Sequence, residues 1–362
     1  GASSLDVMAP VAPAYLDHAA TTPLRPAVLE AMLPWLGDRY GNPSGAHRAA
    51  RAARRALDDA RDVLGAALGV DPGEVVFTSG GTESDNLAVF GVVDAHGGVP
   101  VCSAIEHHAV LEPVEHLGGR VVGVTPDGRI DPDALATTLE EVAAAGQRVS
   151  LVSVMAANNE TGVVQPVPEV VAVVRAAAPG ALVHCDAVQA FAWLDVAELA
   201  ADVDLVSITG HKFGGPQGAG VLASRHGATY AARQIGGGQE RERRSGTQNV
   251  AGIVGLAAAV EAVGADRAAT TERVRAQRDR LLDELVASVP GVIETGGPEG
   301  RSRRLPGHAH VCIDGVVSES LLVLLEQDEV YASAAASCAS GAQEPSHVLA
   351  AMGVARERAQ GA

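Results

Sequence analysis

The sequence predicts an α/β fold, with a large domain around a mostly parallel sheet and a smaller α+β domain after it. Three observations predict it. Short apolar runs alternate with amphipathic helical segments, the pattern of strand–helix–strand units. Hydrophobic residues make up 47% of the chain but aromatics only 3%, so the core must be built from Ala, Val and Leu. A length of 362 residues leaves room for about two domains.

In chain order, helices are expected at residues 26–36 and 47–68, then strands at 74–78, 99–103, 120–124, 149–154, 182–185, 203–208 and 219–223. Further helices at 83–93, 132–145, 166–177 and 249–263 lie between or after them. Arg48, Arg51, Arg54, Arg55 and Arg61 predict a solvated helix face. The character changes near Ala265. Residues 265–288 read as a separate, charged helix with Val274, Leu281, Leu282 and Leu285 on its apolar side. Two strands (291–294 and 310–314), a helix (318–326) and a short strand (329–332) follow. The expected division is a large domain at residues 21–264 and a small one formed from 1–20 and 265–362.

Charge narrows the function. Lys and Arg number 27 against 44 Asp and Glu, a net −17, which argues against nucleic-acid and anionic-membrane partners. Cys102, Cys185, Cys312 and Cys338 form no CxxC pair and are widely spaced, so neither a disulfide framework nor a metal site is expected. A reducing, cytoplasmic setting follows. The N-terminus lacks the pattern of a secretory signal, and the apolar stretch at 250–260 is too short to span a bilayer.

The chemistry centres on Ser207-Ile208-Thr209-Gly210-His211-Lys212-Phe213-Gly214-Gly215-Pro216. Lys212 stands in a tight turn between two apolar strands. Desolvation there lowers an amine's pKa, and a neutral amine attacks carbonyls. A Schiff-base lysine for pyridoxal phosphate is the leading reading; a surface lysine in a glycine turn is the ordinary one. Four further segments lie at expected strand ends, where open α/β sheets bind ligands. Thr78-Ser79-Gly80-Gly81-Thr82-Glu83-Ser84 runs from strand through glycines into helix, as a phosphate cradle or an ordinary N-cap does. Glu106-His107-His108 offers an imidazole to stack on a ring and move protons, or a capped turn, or a metal pair. His184-Cys185-Asp186 with Gln189 offers a carboxylate to hold a pyridine nitrogen protonated, or an N-cap. Ala157-Asn158-Asn159-Glu160-Thr161-Gly162 offers amides to a carboxylate, or a plain turn.

These segments, with Tyr15-Leu16-Asp17-His18-Ala19-Ala20-Thr21-Thr22-Pro23 and Gly41-Asn42-Pro43-Ser44 followed by His47, stand in the order found in the class V aminotransferase family. The chain resembles the cysteine desulfurases of the NifS/IscS type within it, over nearly its whole length. The resemblance implies a PLP-dependent transferase of fold type I, acting as a homodimer. It implies that Lys212 carries the pyridoxal 5'-phosphate, Asp186 pairs with its pyridine nitrogen, His107 stacks on the ring and Gln189 reaches the phenolic oxygen. Gly81, Thr82, Thr209 and His211 would hold the phosphate together with Thr247 from the Arg244-Ser245-Gly246-Thr247 stretch of the other subunit, and Asn159 would lie near the substrate. Cys338, among small residues and followed by Glu344-Pro345-Ser346-His347, matches the nucleophile of the long-loop type. The implied reaction converts L-cysteine to L-alanine. Lys212 moves the Cα proton, His107 assists, and Cys338 takes the sulfur as a persulfide for a sulfur-acceptor protein, such as an iron–sulfur scaffold.

Two departures carry expectations of their own. The family has glycine and serine where Ala335 and Ala336 stand and alanine at Ser337, so this loop is expected to sit differently. The family also continues into a strand bearing an arginine for the substrate carboxylate. Neither Arg356 nor Arg358 stands in a clear version of that motif, so the expectation is either an incomplete C-terminal part or a changed carboxylate site. The same scaffold also suits a selenocysteine lyase or another PLP-dependent β-eliminase, and a non-catalytic sulfur-transfer scaffold is the alternative outside enzymes. A nicotinamide dehydrogenase fits poorly, because no GxGxxG follows a first strand.

Overall fold

A computed structural model of the chain describes residues 13–335 and 346–362. A short strand β1 (Ala14–Tyr15) leads to helix α1 (Pro26–Leu36), which starts on a proline whose missing N–H costs nothing there. Helix α2 (Arg48–Leu68) is capped by His47 and stops at left-handed Gly69. Then follow β2 (Val75–Thr78), α3 (Gly81–His96), β3 (Val99–Ser103), α4 (His108–His116), β4 (Arg120–Val122), α5 (Pro132–Ala144) and β5 (Val149–Met155). The alternation continues with α6 (Val167–Ala177), β6 (Leu182–Asp186), α7 (Val196–Leu199), β7 (Leu205–Thr209) and β8 (Gly220–Ser224). Every expected strand is present, with ends displaced by a few residues.

These strands make one seven-stranded sheet in the order β2-β8-β7-β6-β5-β3-β4. The strands from β7 across to β4 run parallel, and β8 is antiparallel to both β7 and β2. Every residue of β5, β7 and β8 is buried, as expected where helices cover both faces. One face packs on Leu57, Leu64, Leu135, Phe191 and Leu256; the other packs on Leu87, Val92, Val110 and Val114. All five parallel strands point their C-terminal ends to one edge, and the site stands there.

Two expectations need correction. Residues 249–263 and 265–288 do not form two helices: α8 (Val250–Ser288) runs unbroken through the change of composition. Gly264 is the one weak point there, and a single interior glycine costs a helix only about 1 kcal/mol. The first half of α8 buries Ile253, Leu256, Val260 and Val263, whereas the charged half buries Arg278 and Leu282. The second correction concerns Arg61, which is not on the solvated face. It is buried beside Leu57 and Leu64, and its guanidinium meets the Glu240 carboxylate at 2.8 and 3.0 Å. Positions three and four apart share a helix face, so Arg61 falls on the apolar side.

After α8, β9 (Val292–Glu294) and β10 (Val311–Ile313) form an antiparallel pair. Helix α9 (Ser318–Gln327) and strand β11 (Val330–Tyr331) follow, and β11 pairs in parallel with β1. Two short helices, α10 (His347–Ala351) and α11 (Arg356–Ala359), end the described chain. Among the described residues no helix is long and apolar enough to cross a membrane.

Candidate active site

Beyond Thr209 the chain makes a single 3-10 turn, Gly210–Lys212. The segment after β1 straps this turn down. Thr22 donates both its N–H and its hydroxyl to the His211 carbonyl at 2.8 Å, and Gly214 N–H donates to Thr22 Oγ1 at 2.7 Å. Arg25 N–H closes the strap on the Gly214 carbonyl at 3.0 Å. Lys212 Nζ donates to the Ala19 carbonyl, which also accepts Gln189 Nε2 at 2.8 Å. One backbone oxygen therefore gathers the lysine and the glutamine expected to share a ligand.

Asp186 ends the neighbouring strand, β6, and is nearly buried. One oxygen accepts the Val188 N–H at 2.9 Å; among the described residues no hydrogen bond reaches the other. Burial pushes its pKa upward, with the Val188 N–H and the Lys212 ammonium pulling it back. A buried carboxylate with one open oxygen suits a protonated ring nitrogen. The charge of Lys212 likewise lowers the pKa values of His107, His211 and His308, after the larger effect of burial on each. These groups therefore share one electrostatic site.

A cavity of about 340 Å³ opens beside them, lined by Ala20, Thr21, Ser79, Gly80, Gly81, Thr82, Glu83, Thr209, His211, Gln217 and Gly218. Its floor is the N-terminus of α3, where first-turn N–H groups lack helical acceptors and attract anions. Close approach explains the glycines: a Cβ on Gly220 would sit 2.7 Å from Gly80 Cα, and one on Gly81 would sit 2.8 Å from Val188 Cγ2. His211 Nδ1 meets Thr21 Oγ1 at 3.2 Å, and burial with Lys212 lowers its pKa to about 4. Thr209 donates its hydroxyl to the Ala219 carbonyl at 3.2 Å. Glu83 brings an acid into this anion site, but Arg244 grips it at 2.7 and 3.2 Å. Burial alone would raise the Glu83 pKa; the Arg244 and Ser79 hydrogen bonds overcome that and lower it.

His107 caps α4, its Nδ1 accepting the Ala109 N–H at 3.1 Å, so the proton of the neutral ring sits on Nε2. Burial first, then Lys212 and His108, keep it neutral. In the 158–162 turn, Asn158 does the structural work: its Oδ1 accepts the Glu160 and Thr161 N–H groups and its Nδ2 donates to the Ile105 carbonyl at 3.0 Å. Asn159 is the half-buried neighbour.

Most of the expected residues thus converge: Gly81, Thr82, His107, Asp186, Gln189, Thr209, His211 and Lys212. Thr247 does not join them; it is exposed and away from this cavity. Cys338 lies outside the described residues. Cys102, Cys185 and Cys312 are buried free thiols.

Three side chains enter the site to which sequence reasoning gave no role of their own, although Glu106 stands in one of the segments it singled out. Glu106 is fully buried, its Oε1 accepting the Ser103 hydroxyl at 2.8 Å and the Met155 N–H at 2.9 Å, while burial raises its pKa to about 8. Asp85 is buried one turn into α3 and flanks Asp186. His308 packs against Gly162 with both ring nitrogens buried, beside the Asn159 backbone. The His-Ala-His alternation beside Pro306-Gly307 was its only signal.

Comparison with known proteins identifies the family. Residues 14–358 match the aminotransferase class-V family. An IscS-like cysteine desulfurase of Mycobacterium tuberculosis is 41% identical, the match covering 96% of this chain and 89% of that protein. A cysteine desulfurase of Cereibacter sphaeroides is 42% identical, covering 96% and 89%. Among solved structures, a NifS-like protein superposes with a TM-score of 0.87 at 35% identity, covering 96% of this chain and 92% of that one. SspA in complex with cysteine gives a TM-score of 0.80 at 29% identity, covering 96% of both chains. The chain belongs to the class-V aminotransferase family, among its NifS/IscS-like members.

Proposed function

We propose that the chain is a pyridoxal phosphate-dependent cysteine desulfurase. The observation that carries this reading is the convergence of the strapped Lys212 amine, the Asp186 carboxylate and the anion cradle at the 81–84 turn. The fit is chemical as well as spatial. The cradle brings the first turn of α3 and the Ser79 and Thr82 hydroxyls to one cavity, as a phosphate requires, and a Cβ at Gly81 would run into Val188. Asp186 keeps one oxygen open for a ring nitrogen. When bound, the cofactor supplies an electron sink that makes the substrate's Cα proton acidic.

The chain's own residues do the rest. Lys212 is the amine that would hold the cofactor aldehyde and later carry the Cα proton. Neutral His107, with Nε2–H outward from its cap, would move a second proton. Gln189 and Asn159 would orient the ring oxygen and the substrate. Cys338 would take the sulfur: a carbon–sulfur bond of cysteine breaks, a sulfur–sulfur bond forms, and cysteine plus thiol become alanine plus persulfide. The relatives' names support cysteine as substrate. The persulfide would pass to an acceptor protein, for iron–sulfur or other thio-cofactor synthesis, in a reducing compartment such as the cytoplasm.

A second copy would complete the site. Leu29, Leu33 and Leu36 of α1 are exposed, and Ile235 is 89% exposed, which supports an apolar face meant for a homodimer partner. The exposed Thr247 would then serve the partner's cradle. The β1–β11 pairing ties the N-terminal residues to the C-terminal segment, supporting a small domain of 1–20 and 265–362 beside a large one of 21–264.

Mass spectrometry after brief incubation with cysteine tests the reading. We expect one added sulfur on Cys338 and alanine release. In Cys338→Ala, cofactor absorbance should persist while both products vanish. Full activity in that variant would remove the assignment of Cys338.

A further inference from the structure

The turn that carries Lys212 does little to hold itself. It is three residues long, begins at Gly210 and runs on into Gly214 and Gly215. Gly214 stands at φ +83°, a left-handed conformation that favours glycine. The N–H groups of Phe213 and Gly215 both donate to the Gly210 carbonyl, at 3.0 and 2.9 Å. The His211 carbonyl, on the peptide that enters Lys212, and the Gly214 N–H, two residues beyond, find their partner outside the turn.

One hydroxyl serves both. Thr22 Oγ1 donates to the His211 carbonyl at 2.8 Å and accepts the Gly214 N–H at 2.7 Å. These directions allow no alternative. A carbonyl only accepts and a peptide N–H only donates, so the single hydroxyl proton points at His211. The Thr22 N–H adds a second bond to the same carbonyl at 2.8 Å. Gly214 is buried, where an unpaired N–H is costly.

Thr22 is itself fixed from both sides. Before it, the Tyr15 hydroxyl lies 3.0 and 3.1 Å from the carbonyls of Asp17 and Thr21. After it, the Arg25 guanidinium pairs with Asp266 of α8 at 2.8 Å, and the Arg25 stem lies over Gly214, where a Cβ would be only 2.5 Å away. The same segment reaches the tip of the lysine, because the Ala19 carbonyl accepts Nζ. Lys212 is thus held at its backbone by residue 22 and at its amine by residue 19.

Resting on the cofactor site proposed above, we propose that Thr22 is a positioning residue for Lys212. Its hydroxyl fixes the backbone on either side of the lysine, and so the place from which the amine works. The long side chain turns a small tilt of the backbone into a larger displacement of the amine, and a misplacement of about 1 Å can cost about a hundredfold in rate.

Lys212 is the only lysine in the sequence, so lysine labelled with ¹³C at Cε gives one signal in the cofactor-free full chain. Thr22→Val keeps the size of the side chain and removes the hydroxyl; Thr22→Ser keeps the hydroxyl. In Thr22→Val the lysine signal should move or split, and the Gly214 amide should exchange about tenfold faster, the worth of one buried hydrogen bond. Covalent retention of pyridoxal phosphate, trapped by borohydride at timed intervals, should slow about tenfold, and kcat for alanine release should fall by the same factor with KM for cysteine unchanged. Thr22→Ser should restore all four. A Thr22→Val chain with a lower melting temperature but the wild-type lysine signal and trapping rate would overturn the proposal, since Thr22 would then only stabilise the fold. Loss of the trapping rate in Thr22→Ser would overturn it too, and so would a wild-type Gly214 amide that exchanges as fast as an unstructured chain. Absence of any trapped cofactor in the wild type would defeat the cofactor site instead. The ¹³C signal and the amide exchange need no cofactor, so the two ideas fail separately.

Discussion

At the entry ends of β6 and β7, Asp204 receives the Val183 N–H at 2.6 Å and the Arg175 guanidinium at 2.8 Å. At the exit ends of the same strands, Asp186 receives a single N–H among the described residues, while Asp85 and Glu106 are buried with an oxygen of each unpaired by any of them. The entry end also has the larger opening, about 610 Å³ lined by Arg175, Asp202, Asp204 and His226, against about 340 Å³ at the exit end. Volume is therefore a poor guide here. The entry end resolves its charges inside the fold. The exit end leaves acids short of cations, which is tolerable only where a ligand completes the set.

Removing one charged group from each end should break that comparison most sharply. Lys212→Ala should lower alanine formation by about three to four orders of magnitude, within the range that a positioned acid–base or nucleophilic group supplies. Covalent retention of the cofactor through borohydride reduction should vanish with it. Retained turnover would mean that the strapped turn is structural. The matching change at the entry end, Asp204→Asn, should leave turnover alone. It should lower stability by about 1–3 kcal/mol, because the Val183 N–H and Arg175 lose a charged acceptor. Denaturant melts and cofactor absorbance separate the two effects. Reduced turnover without lost stability would show that the two ends are coupled.

The exit end was far more legible in the sequence than the path leading to it. Lys212, Asp186 and the 78–84 loop were readable because each joins a strand end to glycine or cap chemistry, both local signals. The division of α8 was misread because charge composition changes at Ala265 while helical propensity does not, and a lone Gly264 cannot stop a helix. Arg61 was misplaced because its partner, Glu240, lies far along the chain in a loop with left-handed Glu240 and Arg241. The burial of Asp85, Glu106 and His308 among other charges was invisible for the same reason. Each looks ordinary in its own segment and becomes unusual only when the fold buries it beside distant charges.

Glu106 gives the finest probe of this end. Its Oε1 is satisfied by Ser103 and Met155, while Oε2 is buried and unpaired among the described residues. Burial, with Asp186 nearby, raises its pKa to about 8. An unfolded glutamate titrates near 4.3. The native state therefore binds this proton more tightly. The contribution to stability is fully present below about pH 4.3 and is lost as pH rises through about 8. Glu106→Gln replaces the protonated acid by its near-isostere, keeping an acceptor for Ser103 and Met155. The cofactor-free variant should match the parent at pH 5 and exceed it by roughly 1–3 kcal/mol at pH 9, where the parent must bury a charge. His184, His211 and His308, whose pKa values are lowered, pull the opposite way, losing their contribution as pH falls below the usual imidazole range. They are common to both proteins, so the difference between the two melting curves isolates Glu106. A difference that stays constant from pH 5 to pH 9 would show that this carboxyl titrates normally, and that the exit end resolves its charges as the entry end does.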